Sequence, residues 1–479
     1  MTGAEDSTML TWPRPLGNEH GVAMILAVMM LLALTGLVMA FLAASALEPQ
    51  ISRNVADSTR ARYLAETGIE TGFNLLVNTS DASQSFTSAL AGATATTPWV
   101  TLINSGTLAN VTTGGAAAET TFAGTYTVSV RNDSQAGDPT LTGQSNGGET
   151  LTTDANKIVI MRSIGAFNGA TKTIEVVVKR QPLPPFPGAV NIPGFQSDTF
   201  INKTSFTIDG RDHSCASSCD TPSNWVLSGG AARYGIATNT GTQTNIGRTY
   251  EANVESAVTA SSSKLASING RSQTGSGTTT GVNTIAADAS LNPTILQQYL
   301  DAVKSFPGTT ILQSTQACPM QLTGSGTPTN TPTLTNGCTG ANGVNQTLNL
   351  GSRTDPRLVY FRGDTDPSSL FTGLTLNSGI KGAGILVIED GDVKNLGNFT
   401  WDGVVIVTGH YVGSGFMSGS NTTIRGALVS SEVEGSENPG YEFYVDALAS
   451  SFVVQSSQQM LDLVQLTRGT HTMTNLREY

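Results

Sequence analysis

The hydrophobic pattern is least ambiguous between Val22 and Leu47, an uncharged run whose only hydroxyl side chains are Thr35 and Ser45. A bilayer-crossing helix needs roughly 20 apolar residues, and this run exceeds that. No small-residue cleavage site of the A-x-A kind closes it. It continues into a charged, helix-compatible stretch, Glu48 to Asn78, so it is expected to stay with the mature protein as a single span rather than be removed as a signal peptide. In the second stretch Ala61, Ala65, Ile69, Phe73 and Leu76 recur every three to four residues, an apolar stripe that predicts one long helix over 22–78. Arg62 and Glu66 form an i,i+4 pair on it. Pro49 is expected to kink or break the helix, and Gly68 and Gly72 to weaken its end.

Beyond residue 78 the period changes. Residues 79–181 are rich in Ser, Thr, Ala and Gly, and predict a small β-rich headgroup. Tyr126–Arg131 alternates as a strand, and Ile158–Ser163 with Thr173–Lys179 reads as a hairpin with a five- to nine-residue connection. The proline-rich stretch opening at Gln181 makes 182–194 a linker. Residues 195–355 look irregular apart from one helix over Pro293–Ser305, with Ile295, Leu296, Leu300 and Val303 on its apolar face and Pro307 beyond. From 356 to 440 a repeat emerges: Gly384, Gly403 and Gly426 each open a short apolar strand, with Leu358–Phe361 as a preceding rung. Such units cannot bury their own apolar faces, so stacked coils are expected, with an antiparallel sandwich as the alternative. Residues 441–479 are expected to cap the stack. The fold expectation is therefore α+β and mostly β: a long N-terminal, partly transmembrane helix, a small sheet, and a C-terminal parallel β-helix or solenoid.

Composition narrows the setting. Only 13% of the 479 residues are charged, and glycine numbers 52, which suits extracytoplasmic β modules. The net charge of −11, with no basic run, argues against nucleic-acid binding. Cys215, Cys219, Cys318 and Cys338 are expected to form two disulfides, the pairing left open by sequence. Their spacing is poor for zinc.

Catalytic chemistry finds little support. Gly143–Gly147 matches G-x-S-x-G but has neither the strand before it nor the helix after it that a nucleophile elbow needs. His20, His213, His410 and His471 have no recognisable Ser or Cys partner. Asp209 and Asp212 flank the first cysteine pair beside His213. Glu389, Asp390 and Asp392 are weak calcium candidates without EF-hand spacing, so no resident cofactor is expected. Arg362-Gly-Asp364 carries little weight as an adhesion tripeptide. Lys394 and Arg425 are the only basic residues in the rungs from 384 to 429, too few for a uronate-cleaving site, so no enzyme activity is expected.

Gly21 before the apolar run, followed by Glu66, Gly68, Ile69 and Glu70 in a segment of the form A-x-x-A-E-x-G-I-E, resembles the N-terminal region of the PilX family of type IV pilus minor pilins. The resemblance covers roughly residues 19–78. It implies a leader, residues 1–21, cut between Gly21 and Val22, leaving a methylated Val22 amine. It implies a single-pass inner-membrane anchor with extracytoplasmic domains, later displayed on a pilus or the cell surface. It also implies as partners a prepilin peptidase, other minor pilins, the major pilin and a PilY-type tip adhesin. Two features depart from the pattern. Pilins carry a glutamate at the fifth mature position, where this chain has Leu26. The leader has Arg14 but also Glu19, so Arg53, Arg60 and Arg62 outnumber its basic residue and the positive-inside rule points the other way. The missing glutamate directs the resemblance to tip-forming subunits, including the tip pseudopilin of type II secretion. The alternatives are a membrane-anchored adhesin or carbohydrate-binding β-solenoid, and third a β-helix enzyme acting on polysaccharide.

Overall fold

The computed structural model describes residues 19–479 apart from 80–83, 109–123, 244–246, 274–277, 307–308, 326, 364–372, 410–412, 418, 434–440 and 468–469. The leader up to residue 18 with Arg14, together with Pro307, Asp364 and His410, lies outside the described residues.

One helix, α1 (Glu19–Val77), spans 59 residues with Pro49 inside it. The expected break is absent. Proline removes a single i→i−4 bond, and the turns on either side keep theirs. The helix continues past the late glycines to Val77. Gly68 and Gly72 are contact points: a Cβ on Gly68 would lie 2.1 Å from Ser163 Oγ, and one on Gly72 would lie 2.6 Å from Val128 Cγ1. The missing side chains let the helix lie close on a sheet.

That sheet is antiparallel. It comprises β1 (Val100–Gly106), β2 (Thr125–Asn132), β3 (Ile158–Phe167) and β4 (Ala170–Arg180), with the last strand of the chain, His471–Glu478, beside β4. The β3–β4 connection is only two residues, Asn168 and Gly169, at φ 47° and 84°. The longer expected loop treated Gly165–Phe167 as turn, whereas these residues stay in the ladder and Asn-Gly supplies the positive φ that a tight hairpin needs. Leu64, Ala65, Ile69, Val128, Met161 and Val176 form the core between helix and sheet.

The rest of the described chain builds two large sheets and two small two-stranded ones. Gly188–Ile192 is β5, Thr199–Ile201 β6 and Thr207–Asp209 β7. Arg357–Arg362 (β8) then leads into alternation between the sheets. β9 (Leu374–Asn377), β11 (Val393–Asn395), β13 (Ser414–Phe416) and β15 (Phe443–Val445) lie in one; β10 (Ile380–Glu389), β12 (Asn398–Gly409), β14 (Asn421–Glu432) and β16 (Ser451–Gln455) lie with β8 in the other. Neighbouring strands along these rows pair in parallel, where a sandwich of hairpins would pair antiparallel. Gly384, Gly403 and Gly426 stand opposite one another. Their φ values are 116°, 135° and 132°. A Cβ on Gly403 would meet Gly384 O at 2.1 Å, and one on Gly426 would meet Gly403 O at the same distance. The repeat read from sequence is thus a steric column. Trp401, Phe399, Phe416, Phe443 and Phe452 fill the space between the sheets, and Trp401 Nε1 donates to Gly384 O at 3.1 Å.

Several expected boundaries move. Residues 195–355 are not an irregular region. β6 and β7 pair with β15 and β16, while Ile311–Gln313 and Met320–Thr323 pair with β8 and β9 at the other end of the rows. Strands of three or four residues are too short to show a period. The 182–194 linker contains β5, wholly buried and paired with Tyr234–Thr238 and β14, because Ala189, Val190 and Ile192 are apolar. The 441–479 segment is only partly a cap. It supplies β15 and β16, then a helix, Gln458–Gln465, and finally β17 (His471–Glu478) of the head sheet. That helix and Pro293–Lys304, capped by the Asn292 side chain, cover the outer face of the larger sheet through Leu461, Val464, Leu296, Leu300 and Val303.

Candidate assembly surface on the long helix

The helix has two unlike halves. Residues 22–56 are exposed on every side, about 52 Å of bare helix at 1.5 Å per residue. It is the described helix long and apolar enough to cross a membrane. Gly21 and Val22 lie in its first turns. Leu26 is exposed, and no carboxylate lies between residues 22 and 47. From Asp57 onward one face is buried. Asp57 itself is 8% exposed, with Arg53 at 4.0 Å and Arg60 at 3.7 Å.

The four matched residues separate by role. Gly68 and Ile69 face the sheet; Ile69 is buried among the head-core residues. Glu66 and Glu70 face outward. Glu66 accepts from Arg62 Nε at 3.0 Å, and Arg62 reaches Glu478 of β17 at 3.4 Å, so one arginine joins the helix to the edge strand. Glu66 and Glu70 line a cleft of about 640 Å³ between α1 and β17, together with Tyr63, Met473 and Leu476. The position that sequence reasoning missed is Gly165, where a Cβ would lie 2.1 Å from Ala61 O and 2.5 Å from Ala65 N. Its signal was a glycine inside an apolar strand, which marks close backbone approach as well as turns.

The remaining candidates are dispersed. Cys215 pairs with Cys219 and Cys318 with Cys338. The calcium candidates do not converge. Glu389 accepts from Tyr360 Oη at 2.8 Å and is ion-paired with Lys304, with Arg362 at 3.6 Å. Asp390 has Arg362 at 3.9 Å. Asp392 accepts from the Gly413 N–H at 2.7 Å, and burial pushes its carboxyl up to about 7. Among the described residues no group of three His, Cys, Asp or Glu is placed to hold a metal. Asp209 is bound by Arg211, and Asp212 accepts from the Ser228 hydroxyl and the Gln458 N–H. His213 lies 3.6 Å from Asp209. His471 is buried against Phe73 and Phe86, and burial with nearby Arg180 pushes it down to about 3. Gly143 closes a short helix, Asp138–Thr142, so the Gly143–Gly147 match follows a helix rather than a strand. Lys394 lies in β11, and Arg425 is buried against Asp402 at 3.2 Å.

No protein-family model matches the chain, and no curated protein matches it. Among solved structures, the competence-associated pilin ComZ from Thermus thermophilus is similar to it at 9% identity and a TM-score of 0.24, over 88% of this chain and 97% of that one.

Proposed function

We propose that the protein is a membrane-anchored minor pilin of the PilX type, which primes assembly of a type IV pilus or related fibre and carries a parallel β-helix as a display module. Its work is assembly and presentation, without catalysis or a resident cofactor. The observation that carries this reading is the division of α1: residues 22–56 are bare and apolar, while the rest is packed on an antiparallel sheet. The bare half suits first a bilayer, in the inner membrane, and then a bundle of equivalent helices; the packed half fixes the headgroup to it. Partners on this reading are a prepilin peptidase, the major pilin, other minor pilins and a PilY-type adhesin.

The test is the N-terminus of the membrane form. Mass spectrometry is expected to find Val22 first, with a methylated amine, and Gly21→Glu is expected to block the cut. An intact leader, or a cut after Leu47, overturns the reading.

A further inference from the structure

A second cleft lies on the outer face of the larger sheet. β10 and β12 set Lys381 beside Thr400, and Ala383 beside Asp402. The loop before β8 adds Ser352, Arg353 and Thr354, and the residue after the Cys215–Cys219 disulfide adds Asp220. Between them is a space of about 280 Å³. Apolar ligand pockets are larger, typically about 300–1,000 Å³, and lined by aliphatic and aromatic groups. This one is bordered by hydroxyls and amides.

Its charges are arranged for exchange. Asp402 is buried and bound by Arg353 at 2.6 Å and Arg425 at 3.2 Å. Asp220 is shared between Arg353 at 3.0 Å and Lys381 at 3.6 Å. Three cations therefore face two carboxylates. Asp220 has a side chain 74% exposed and Lys381 one 41% exposed; pairs this open are weak in water. The cations are better fixed than the anion. Arg353 also donates to Cys219 O at 3.0 Å and lies over Trp225 at 5.8 Å, and its Nε has no acceptor among the described residues. Trp225 supports Arg425 too, at 4.7 Å, and its indole N–H is held by Cys219 O at 2.8 Å.

We propose that this cleft binds the carboxylate of an acidic, hydroxyl-rich sugar, the ligand taking the place of Asp220 between Arg353 and Lys381. A guanidinium beside an ammonium recognises a carboxylate through charge-assisted hydrogen bonds. Ser352, Thr354, Thr400 and Asn330 present hydroxyl and amide groups to the hydroxyls of the ring. The counting of basic residues along the rungs missed the site because Arg353 and Lys381 fall outside the 384–429 span and only the fold brings them to Asp402. The inference does not depend on the assembly role of α1.

Calorimetric titration of the full chain in detergent tests it, with glucuronate as probe and glucose and sulfate as controls. Glucuronate is expected to bind and glucose not. Lys381→Ala is expected to weaken binding about tenfold, the worth of one charge-assisted contact. Asp220→Asn is expected to tighten it, a gain that misfolding cannot imitate. Lys381→Ala that melts with the parent protein yet binds unchanged overturns the proposal. So does absence of glucuronate binding to the Asp220→Asn variant. Sulfate competing as well as glucuronate overturns the sugar assignment.

Discussion

At Gly165 and Gly68 a hydrogen atom decides how closely α1 approaches the sheet. A methyl on Gly165 would press against the backbone of Ala61 and Ala65, which has no rotamer to yield. Gly165→Ala is expected to lower stability by about 1–3 kcal/mol, the usual cost of overpacking. Gly36→Ala has nothing within 4 Å and serves as the control. Denaturant melts of both variants in detergent measure the difference; equal midpoints would show that the helix does not seat on the strand as described. Asp392 offers a second residue-scale prediction. Its carboxyl is raised from 3.8 to about 7, so the folded state penalises the charged form above pH 7, and the penalty fades as pH falls through 7 towards the unfolded value. Asn keeps an oxygen for the Gly413 N–H without the charge. Asp392→Asn is therefore expected to stabilise at pH 8, by on the order of 2 kcal/mol after allowance for its partial exposure, and to do little at pH 3.5, below the unfolded value. Stabilisation equal at the two pH values would refute the assigned cause.

At the scale of elements, what could be read from sequence followed segment length. The long helix declared itself because its apolar run and stripe extend over dozens of residues. The repeat of Gly384, Gly403 and Gly426 declared itself because each glycine of the later two lies against the carbonyl of the one before; the glycines sit inside β10, β12 and β14 rather than opening them. β6, β7 and the short strands of 311–323 carry three or four residues each, and no period is visible in so few. The non-local joins were equally hidden: β17 pairs with β4 across nearly 300 residues, and β6 lies on β15 at the far end of its row. Glu66, Gly68, Ile69 and Glu70 were visible as a motif, but their division into outward and inward pairs needed the sheet. The two disulfides differ as elements in the loops they close. Cys318–Cys338 spans 20 residues and Cys215–Cys219 only 4. On the chain-entropy model, Cys318→Ser with Cys338→Ser is expected to cost about 3 kcal/mol, and the equivalent change at Cys215 and Cys219 about 2 kcal/mol. Thermal melts of the two double variants check the order.

At the scale of the whole molecule, the question is where in a fibre such a subunit fits. On the proposed reading, subunits associate through the bare half of α1 and are staggered by a few turns, on the order of 10 Å. Every neighbour along a shaft would then have to accommodate a head sheet plus two rows of parallel strands, about 400 residues following the helix. Nor does Leu26 supply the carboxylate that would pair with the amine of the subunit ahead. Both features are harmless at one position, the tip, where no subunit lies ahead and the bulk projects into solvent. The protein is therefore expected at about one copy per fibre, a count set by the end position rather than by helix length. Deleting it is expected to reduce fibre number more than fibre length. Leu26→Glu is expected to give little gain, because a carboxylate in lipid without a partner amine is costly. Quantitative mass spectrometry of sheared fibres and immunogold labelling check the stoichiometry and the position. Gold at regular intervals along the shaft would refute the tip position, and a fibre lengthened by Leu26→Glu would show that an amine does lie ahead.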